Sequence, residues 1–274
     1  MVNKIKLLNN NTSFSGSKKL ASQKNPYDFC MQQPSKDTAS FEKIKSSNIS
    51  FNGLFFNRIS AEESAKLDTI ATEFLQKGNV KEFNKLRKDN KSYTPQFKEM
   101  GFQKAHIWGA NLNYANFEKA NLEDVEIGLS DLYKTNFNNA NLKSALIPMV
   151  EAKKATFVDA NLEDVDFRYS NLKKADFSGA NLKMADFRYT CLDKADFKNS
   201  DLAGAKLIGA SLKGVNLNNA CLDCVEINNS ELEKTTKETR AYVEKYYTKI
   251  KLSENRIFLE KKPLTLLFPY NKYV

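Results

Sequence analysis

Side chains able to do covalent or acid-base chemistry are few in this chain, and they are poorly grouped. His106 is the only histidine among 274 residues, so any histidine-based triad would have to use it. No nucleophile pattern surrounds it, and it reads as a solvated residue rather than a catalyst. Cys221-Leu-Asp-Cys224 has the spacing of half a zinc site, but the other half is missing. No Gly-x-x-x-x-Gly-Lys or Gly-x-Gly-x-x-Gly motif offers a phosphate cradle. Asp and Glu are plentiful but sit at positions that recur with a fixed period, as the outside of a regular scaffold would place them. The sequence therefore predicts no catalytic residue, no metal ligand and no cofactor. What is left is recognition by Tyr, Met, Arg and Lys, and their placement depends on the elements that carry them.

Those elements are set by a period of five. From Ile107 to Leu232 every fifth residue, 26 in succession, is Leu, Phe or Ile, with the single exception of Ala152. Two residues before each, from Ala105 to Ser230, stands only Ala, Ser, Thr or Val. Five matches neither the helix period of 3.6 nor the strand period of 2. It fits a solenoid, whose short units bury their apolar residues only by stacking on one another.

Charge divides the chain in the same way. Residues 101–235 hold 16 Lys and Arg against 19 Asp and Glu, a net of −3. Residues 1–100 carry 17 against 10 and residues 236–274 carry 9 against 4, so the basic pI belongs to the flanks. Such ends can attract nucleic acid, anionic membrane or an acidic partner, or simply keep the chain soluble. No segment approaches the roughly 18 consecutive apolar residues of a membrane span. Cys30 stands apart from Cys191, Cys221 and Cys224, which favours a reducing, cytoplasmic setting over a disulfide framework.

The flanks have their own signals. Residues 1–59, rich in Asn, Ser and Lys, read as a largely disordered arm, although Phe51, Leu54, Phe55 and Phe56 are dense enough to dock on the body. Over 60–100 a helical cap is expected. Ser60 and Glu63 make a capping box, and Leu67, Ile70, Ala71, Phe74 and Leu75 share one helical face up to Gly78. A second helix turns Val80, Phe83 and Leu86 inward and Lys81, Lys85, Arg87 and Lys88 outward. Pro95 then interrupts the approach to the repeat over 101–235. In the last segment, 236–274, Thr235 with Glu238 predicts a further capping box, and Tyr242, Val243, Tyr246, Tyr247 and Ile250 predict a helix over 236–251. The clusters Ile257-Phe258-Leu259 and Leu264 to Phe268 must then fold back or pair with another subunit. Surplus apolar surface of this kind predicts a homodimer through the C-terminal helix and tail.

Successive units read ANLNY, ANFEK, ANLED, then ATFVD, ANLED, VDFRY, SNLKK, ADFSG, ANLKM, ADFRY, TCLDK, ADFKN and SDLAG. They closely resemble the pentapeptide-repeat family, whose units follow A-(D/N)-(L/F)-x-x. The resemblance covers about half the chain and implies an all-β solenoid. That solenoid is a right-handed quadrilateral β-helix with four units per coil, capped here by short helices at both ends. The units then make about six and a half coils, or about 31 Å at the strand spacing of roughly 4.8 Å. Leu columns would line two opposite walls, with Phe and Ile on the others, and Phe117, Phe137, Phe157, Phe177 and Phe197 would form one stack. The interruption at Leu146, Pro148, Met149 and Ala152 predicts a local distortion.

With four units per coil, residues twenty apart stack, and the implied surface can be unrolled. One wall collects Leu129, Met149, Tyr169 and Tyr189, with Arg168 and Arg188 beside the tyrosines and Asp166 and Asp186 near enough to pair with them. The next collects Lys134, Lys154, Lys174 and Lys194. Tyr, Met and Arg are enriched at interface centres, so the Leu129–Tyr189 row, the two arginines and the four lysines, ten residues without the aspartates, are the candidate binding surface for an unidentified protein partner. Members of the family serve as interaction scaffolds, as secreted effectors, or as gyrase-binding proteins that imitate DNA. The near-neutral repeat with its Lys columns disfavours DNA mimicry. The leading expectation is a non-enzymatic scaffold for protein–protein interaction. A nucleic-acid-related role, by topoisomerase modulation or polyanion binding, and a secreted effector with an export signal in the arm are the alternatives.

Overall fold

The computed structural model describes residues 59–263. Its body is a ladder of parallel bridges, each joining a residue to the one twenty further on, from Gln96–Asn116 to Lys206–Glu226. At every fifth residue from Glu99 to Cys224 the backbone enters the left-handed region, with φ between 55° and 76°. A corner every five residues and a coil every twenty make a four-sided β-helix.

The five-residue unit follows from hydrogen-bond accounting, since a buried N–H without a partner is costly. In the unit around Leu142, the Asn141 N–H donates back to the preceding coil at Ala120 (3.0 Å). Those of Leu142 and Ser144 donate forward to Asn161 (2.7 Å) and Glu163 (2.8 Å). Ala140 closes the preceding corner onto Phe137 (3.1 Å). The fifth N–H, that of Lys143, falls at the corner with no carbonyl to meet it and donates to the Asn141 Oδ1 instead (3.3 Å). This is why Asn or Asp precedes the core residue: its side chain completes the corner as an Asx turn. The same side chains also form ladders, Asn181 to Asn161 (3.0 Å), Asn161 to Asn141 (3.0 Å) and Asn141 to Asn121 (3.2 Å). They are half-buried and bonded along the wall as well as facing outward.

Inside, Leu, Ile and Phe fill the axis and Ala the crowded wall beside it, nearly all without solvent contact. Phe117, Phe137, Phe157, Phe177 and Phe197 form the expected stack, with ring centroids 4.8–5.1 Å apart and planes within 9°. Phe167 and Phe187 form a second stack, 5.5 Å apart, meeting the first edge-on. The rod starts two units before Ile107, where the pattern begins. Phe97 lies 4.9 Å from Phe117 and Phe102 is buried, while the Pro95 carbonyl already accepts from Asn116 at 2.9 Å. The expected distortion at the interruption is absent. Ile147, Met149, Glu151 and Ala152 keep ladder bonds of 2.8–3.1 Å.

Before the rod come α1 (Ala61–Gln76) and α2 (Val80–Asp89). The Ser60–Glu63 capping box forms as expected. Ala71, Leu75 and Phe83 are fully buried, but Ile70 lies off the buried face and is 40% exposed. Arg87 corrects its predicted outward placement. It turns in to donate to the carbonyls of Tyr93, Asn111 (3.2 Å) and Asn113 (2.8 Å) on the open edge of the first coil. Gln76 and Asn84 donate to Gly101 and Gly109 there, both at 2.8 Å. Asp68 accepts from Gln96 N (2.9 Å) and the Tyr93 hydroxyl (2.6 Å).

At the far end, β1 (Val225–Asn228) leads to the single turn α3 (Asn229–Leu232), then α4 (Lys237–Tyr246), β2 (Tyr247–Lys251) and β3 (Arg256–Lys261). The helix expected to reach residue 251 thus stops at Tyr246, and Ile250 belongs to a hairpin. β3 pairs antiparallel with both β2 and β1, giving the sheet order β1-β3-β2. The β1 pairing anchors the hairpin on the rod and overrides the helical spacing of the tyrosines. The cap also moves by one residue: Thr236 accepts from Thr239 N, while the buried Thr235 hydroxyl bonds the Leu232 carbonyl. Ile257 and Leu259 are buried within the same chain, so this cluster folds back rather than waiting for a second subunit. The second apolar cluster and the N-terminal arm, on which the dimer and export expectations rest, lie outside the described residues. Among the described residues no helix is long and apolar enough to cross a membrane.

The stack and the Asn ladder should respond differently to truncation. Phe157→Ala or Phe177→Ala is expected to cost about 3–5 kcal/mol, as large-to-small core changes do, and Asn161→Ala about 1–2 kcal/mol, because water replaces part of its half-buried bonds to Asn141, Asn181 and the Glu163 N–H. Urea denaturation measures both, and equal losses would contradict this register.

Candidate partner-binding surface

Because each corner residue is in the left-handed region, its side chain projects from an edge of the rod. Corners twenty residues apart therefore make continuous rows. One edge carries Leu129, Met149, Tyr169 and Tyr189, as the sequence implies; the first three are 60%, 42% and 40% exposed. The rings of Tyr169 and Tyr189 stack at 5.3 Å and 8°. Arg168 and Arg188 do not present free charge here. Each is bound bidentately to the aspartate two residues before it, Asp166 and Asp186, with contacts of 2.6–3.0 Å. Those hydrogen bonds, opposed by desolvation, hold both guanidinium groups above the usual arginine range.

The structure adds residues that sequence reasoning missed. Trp108, 40% exposed, begins the same edge and lies flat over Gly128, where a Cβ would come within 2.4 Å of the ring. Its indole N–H donates to Glu126 (3.0 Å). His106, solvated as expected, also contacts Glu126 (3.0 Å), and these bonds, that from His106 foremost, draw the Glu126 carboxyl below its ordinary range. Gly209 lies beneath Tyr189 in the same way. An aromatic residue twenty positions before a glycine on this wall was the available signal.

Leu146 extends the apolar edge for a backbone reason. It occupies the Asn/Asp position and is 42% exposed. The corner N–H that Asn or Asp would satisfy belongs to residue 148, which is proline and has none. Acceptor and donor are lost together, so an apolar residue stands where other units need a polar one. Trp108, Leu129, Leu146, Met149 and Tyr169 thereby form an exposed apolar row over three coil steps, about 14 Å at a spacing of roughly 4.8 Å.

The adjacent edge carries Lys134, Lys154, Lys174 and Lys194, all exposed and all at positive φ. Tyr114 and Tyr133, also missed by the sequence reading, meet edge-on at 5.5 Å. Lys134 sits over both rings (5.7 and 5.5 Å) and Lys154 over Tyr133 (5.8 Å). On the face between the two edges, Lys153 pairs with Glu151 (3.2 Å) and Lys173 with Asp193 (3.4 Å). Asp131 lies there too, its carboxyl pushed up by burial and by Glu151. Among the described residues no group of three or more His, Cys, Asp or Glu side chains is placed to hold a metal ion.

The family model for pentapeptide repeats matches residues 102–139, 153–183, 160–199, 180–219 and 195–233, in eight copies. No curated protein matches the chain. Solved structures do resemble it. HetL, a pentapeptide repeat protein involved in heterocyst differentiation regulation from the cyanobacterium Nostoc sp. strain PCC 7120, is 22% identical. That match covers 53% of this chain and 75% of HetL, with a TM-score of 0.39. QnrB1, a plasmid-mediated fluoroquinolone resistance protein, is 21% identical over 46% of this chain and 70% of its own, with a TM-score of 0.32. The pentapeptide repeat protein Rfr23 from the cyanobacterium Cyanothece 51142 is 19% identical over 57% of this chain and 95% of its own, with a TM-score of 0.23.

The pairing of Leu146 with Pro148 is open to a double-mutant cycle. Pro148→Ala should destabilise by about 1 kcal/mol, because it restores a corner donor with no side-chain acceptor. Adding Leu146→Asn should recover most of that loss, although Leu146→Asn alone should not stabilise. Additive effects in thermal unfolding would break the link.

Proposed function

Since this chain belongs to the pentapeptide-repeat family, we propose that it is a non-enzymatic scaffold: a right-handed quadrilateral rod, closed at both ends by its short helices, that binds a protein partner. The observation that carries this reading is the exposed apolar row from Trp108 to Tyr169. Rows of Leu, Met, Trp and Tyr on a rigid support suit the centre of an interface. Rigidity matters because a surface ordered before binding loses little conformational entropy when the partner arrives. The polar network around it, His106 and Trp108 on Glu126 and each arginine on its aspartate, holds the rim in place.

The nucleic-acid reading draws on the exposed lysines beside Tyr114 and Tyr133, and it predicts a salt-dependent gel shift. The export reading rests on the arm outside the described residues. Affinity capture with the full chain, with a chain lacking residues 1–59, and with Leu129→Asp/Met149→Asp separates them. The double variant should retain less than a tenth of the captured partner at an unchanged melting temperature, because Asp124, Asp159 and Asp164 already occupy equivalent corners. Undiminished capture by the double variant sinks the edge as the binding surface.

A further inference from the structure

Resting on the reading of the apolar edge as a partner site, we propose that the occupant is an acidic amphipathic polypeptide segment. It would lie along the rod with its apolar side chains on the Trp108–Tyr189 edge and its carboxylates on the Lys134–Lys194 edge. The argument starts from which charges on this side of the rod are already neutralised. Arg168 and Arg188 are spent on Asp166 and Asp186. Lys153 and Lys173 are spent on Glu151 and Asp193. Lys134, Lys154, Lys174 and Lys194 stand in no ion pair among the described residues, and all four are exposed. Each is stacked on the next by the twenty-residue coil, so four ammonium groups hang from backbone positions roughly 4.8 Å apart.

Such a column is electrostatically unfavourable by itself, since like charges on neighbouring coils repel one another. The backbone does not demand it. The same left-handed corner holds Glu99, Asp124, Asn139, Asp159 and Asn199 elsewhere in the rod. The column is therefore a property of side-chain choice rather than of the fold. It lies one face away from the apolar row and runs parallel to it. A partner matching both rows needs apolar and acidic positions on neighbouring faces, over about 19 Å for the four coil steps from Trp108 to Tyr189. In an α-helix that is about 13 residues. Lys–carboxylate contacts along the exposed edge would set orientation and association rate, and the apolar row most of the affinity.

Selection of a displayed library of random 16-residue peptides on the full chain tests the proposal. Enriched peptides should be acidic and should contain apolar residues. Repeated on Lys134→Glu/Lys154→Glu/Lys174→Glu/Lys194→Glu, the selection should lose or invert the acidic preference, with binding of the original peptides reduced at least tenfold. On Leu129→Asp/Met149→Asp it should lose those peptides altogether. Neutral or basic peptides that still depend on Leu129 and Met149 would overturn the acidic partner and leave the edge standing as a binding surface. Peptides indifferent to Leu129 and Met149, or no enrichment, would overturn both. A 20-base-pair duplex retarded by the wild type and released by the quadruple lysine variant would reassign the column to phosphate and overturn the proposal. Melting temperatures of both variants within a few degrees of wild type exclude misfolding as the cause.

Discussion

Everything about this rod depends on finding an acceptor for the fifth N–H. A chain that turns a corner every five residues can give one N–H to the coil before, two to the coil after and one across the corner. The remaining donor is stranded at the turn. Placing Asn or Asp two residues earlier solves this locally, as Asn141 does for Lys143 and Asp166 for Arg168. The polar residue of the unit thus serves the backbone as the Leu or Phe beside it serves the core. Where the donor disappears, at Pro148, the requirement disappears too, and Leu146 shows what the position does when it is released.

The corner's second demand, a left-handed residue, shapes the surface. Among the described residues, twenty-one that are not glycine adopt positive φ, including Lys, Tyr, Met and Leu as well as Asn and Asp. Such a conformation disfavours most side chains when taken singly. Here ladder bonds to the next coil hold the corners, as Met149 is held by its bond to Arg168 and Lys154 by its bond to Lys173. The strained positions are also the most protruding ones, so the residues that define the surface rest on the most tightly determined backbone.

Much of this was legible in the sequence. The five-residue period marked the core and surface positions, and the four units per coil implied by the family resemblance placed the Phe stack, the Leu columns and the Leu129–Tyr189 and Lys134–Lys194 rows. Its failures have physical causes. Phe97 and Phe102 belong to the rod, but their units lack the Ala-Asn signature because the helices, not another coil, lie beneath them. Arg87 looked outward because two of the three carbonyls it satisfies come from residues more than twenty positions away. Tyr247 and Ile250 continue a helical spacing, yet β3 supplies a sheet partner that no local pattern announces. The Tyr247 hydroxyl accepts instead from the Leu222 N–H at the open edge of the last coil (2.9 Å). Trp108 escaped notice because its significance lies in Gly128, twenty residues on.

The twenty-residue coil also sets how such a surface can change by insertion or deletion. Removing or duplicating five residues inside the rod leaves every unit well formed, because one corner is chemically like another. Every row beyond that point, however, shifts by one wall. The Phe stack would continue onto Leu, and the apolar and lysine edges would each break into two offset halves. Only gains or losses of twenty residues lengthen or shorten the edges intact. The fold therefore tolerates steps of five, whereas the information written along its edges can be inherited only in steps of twenty.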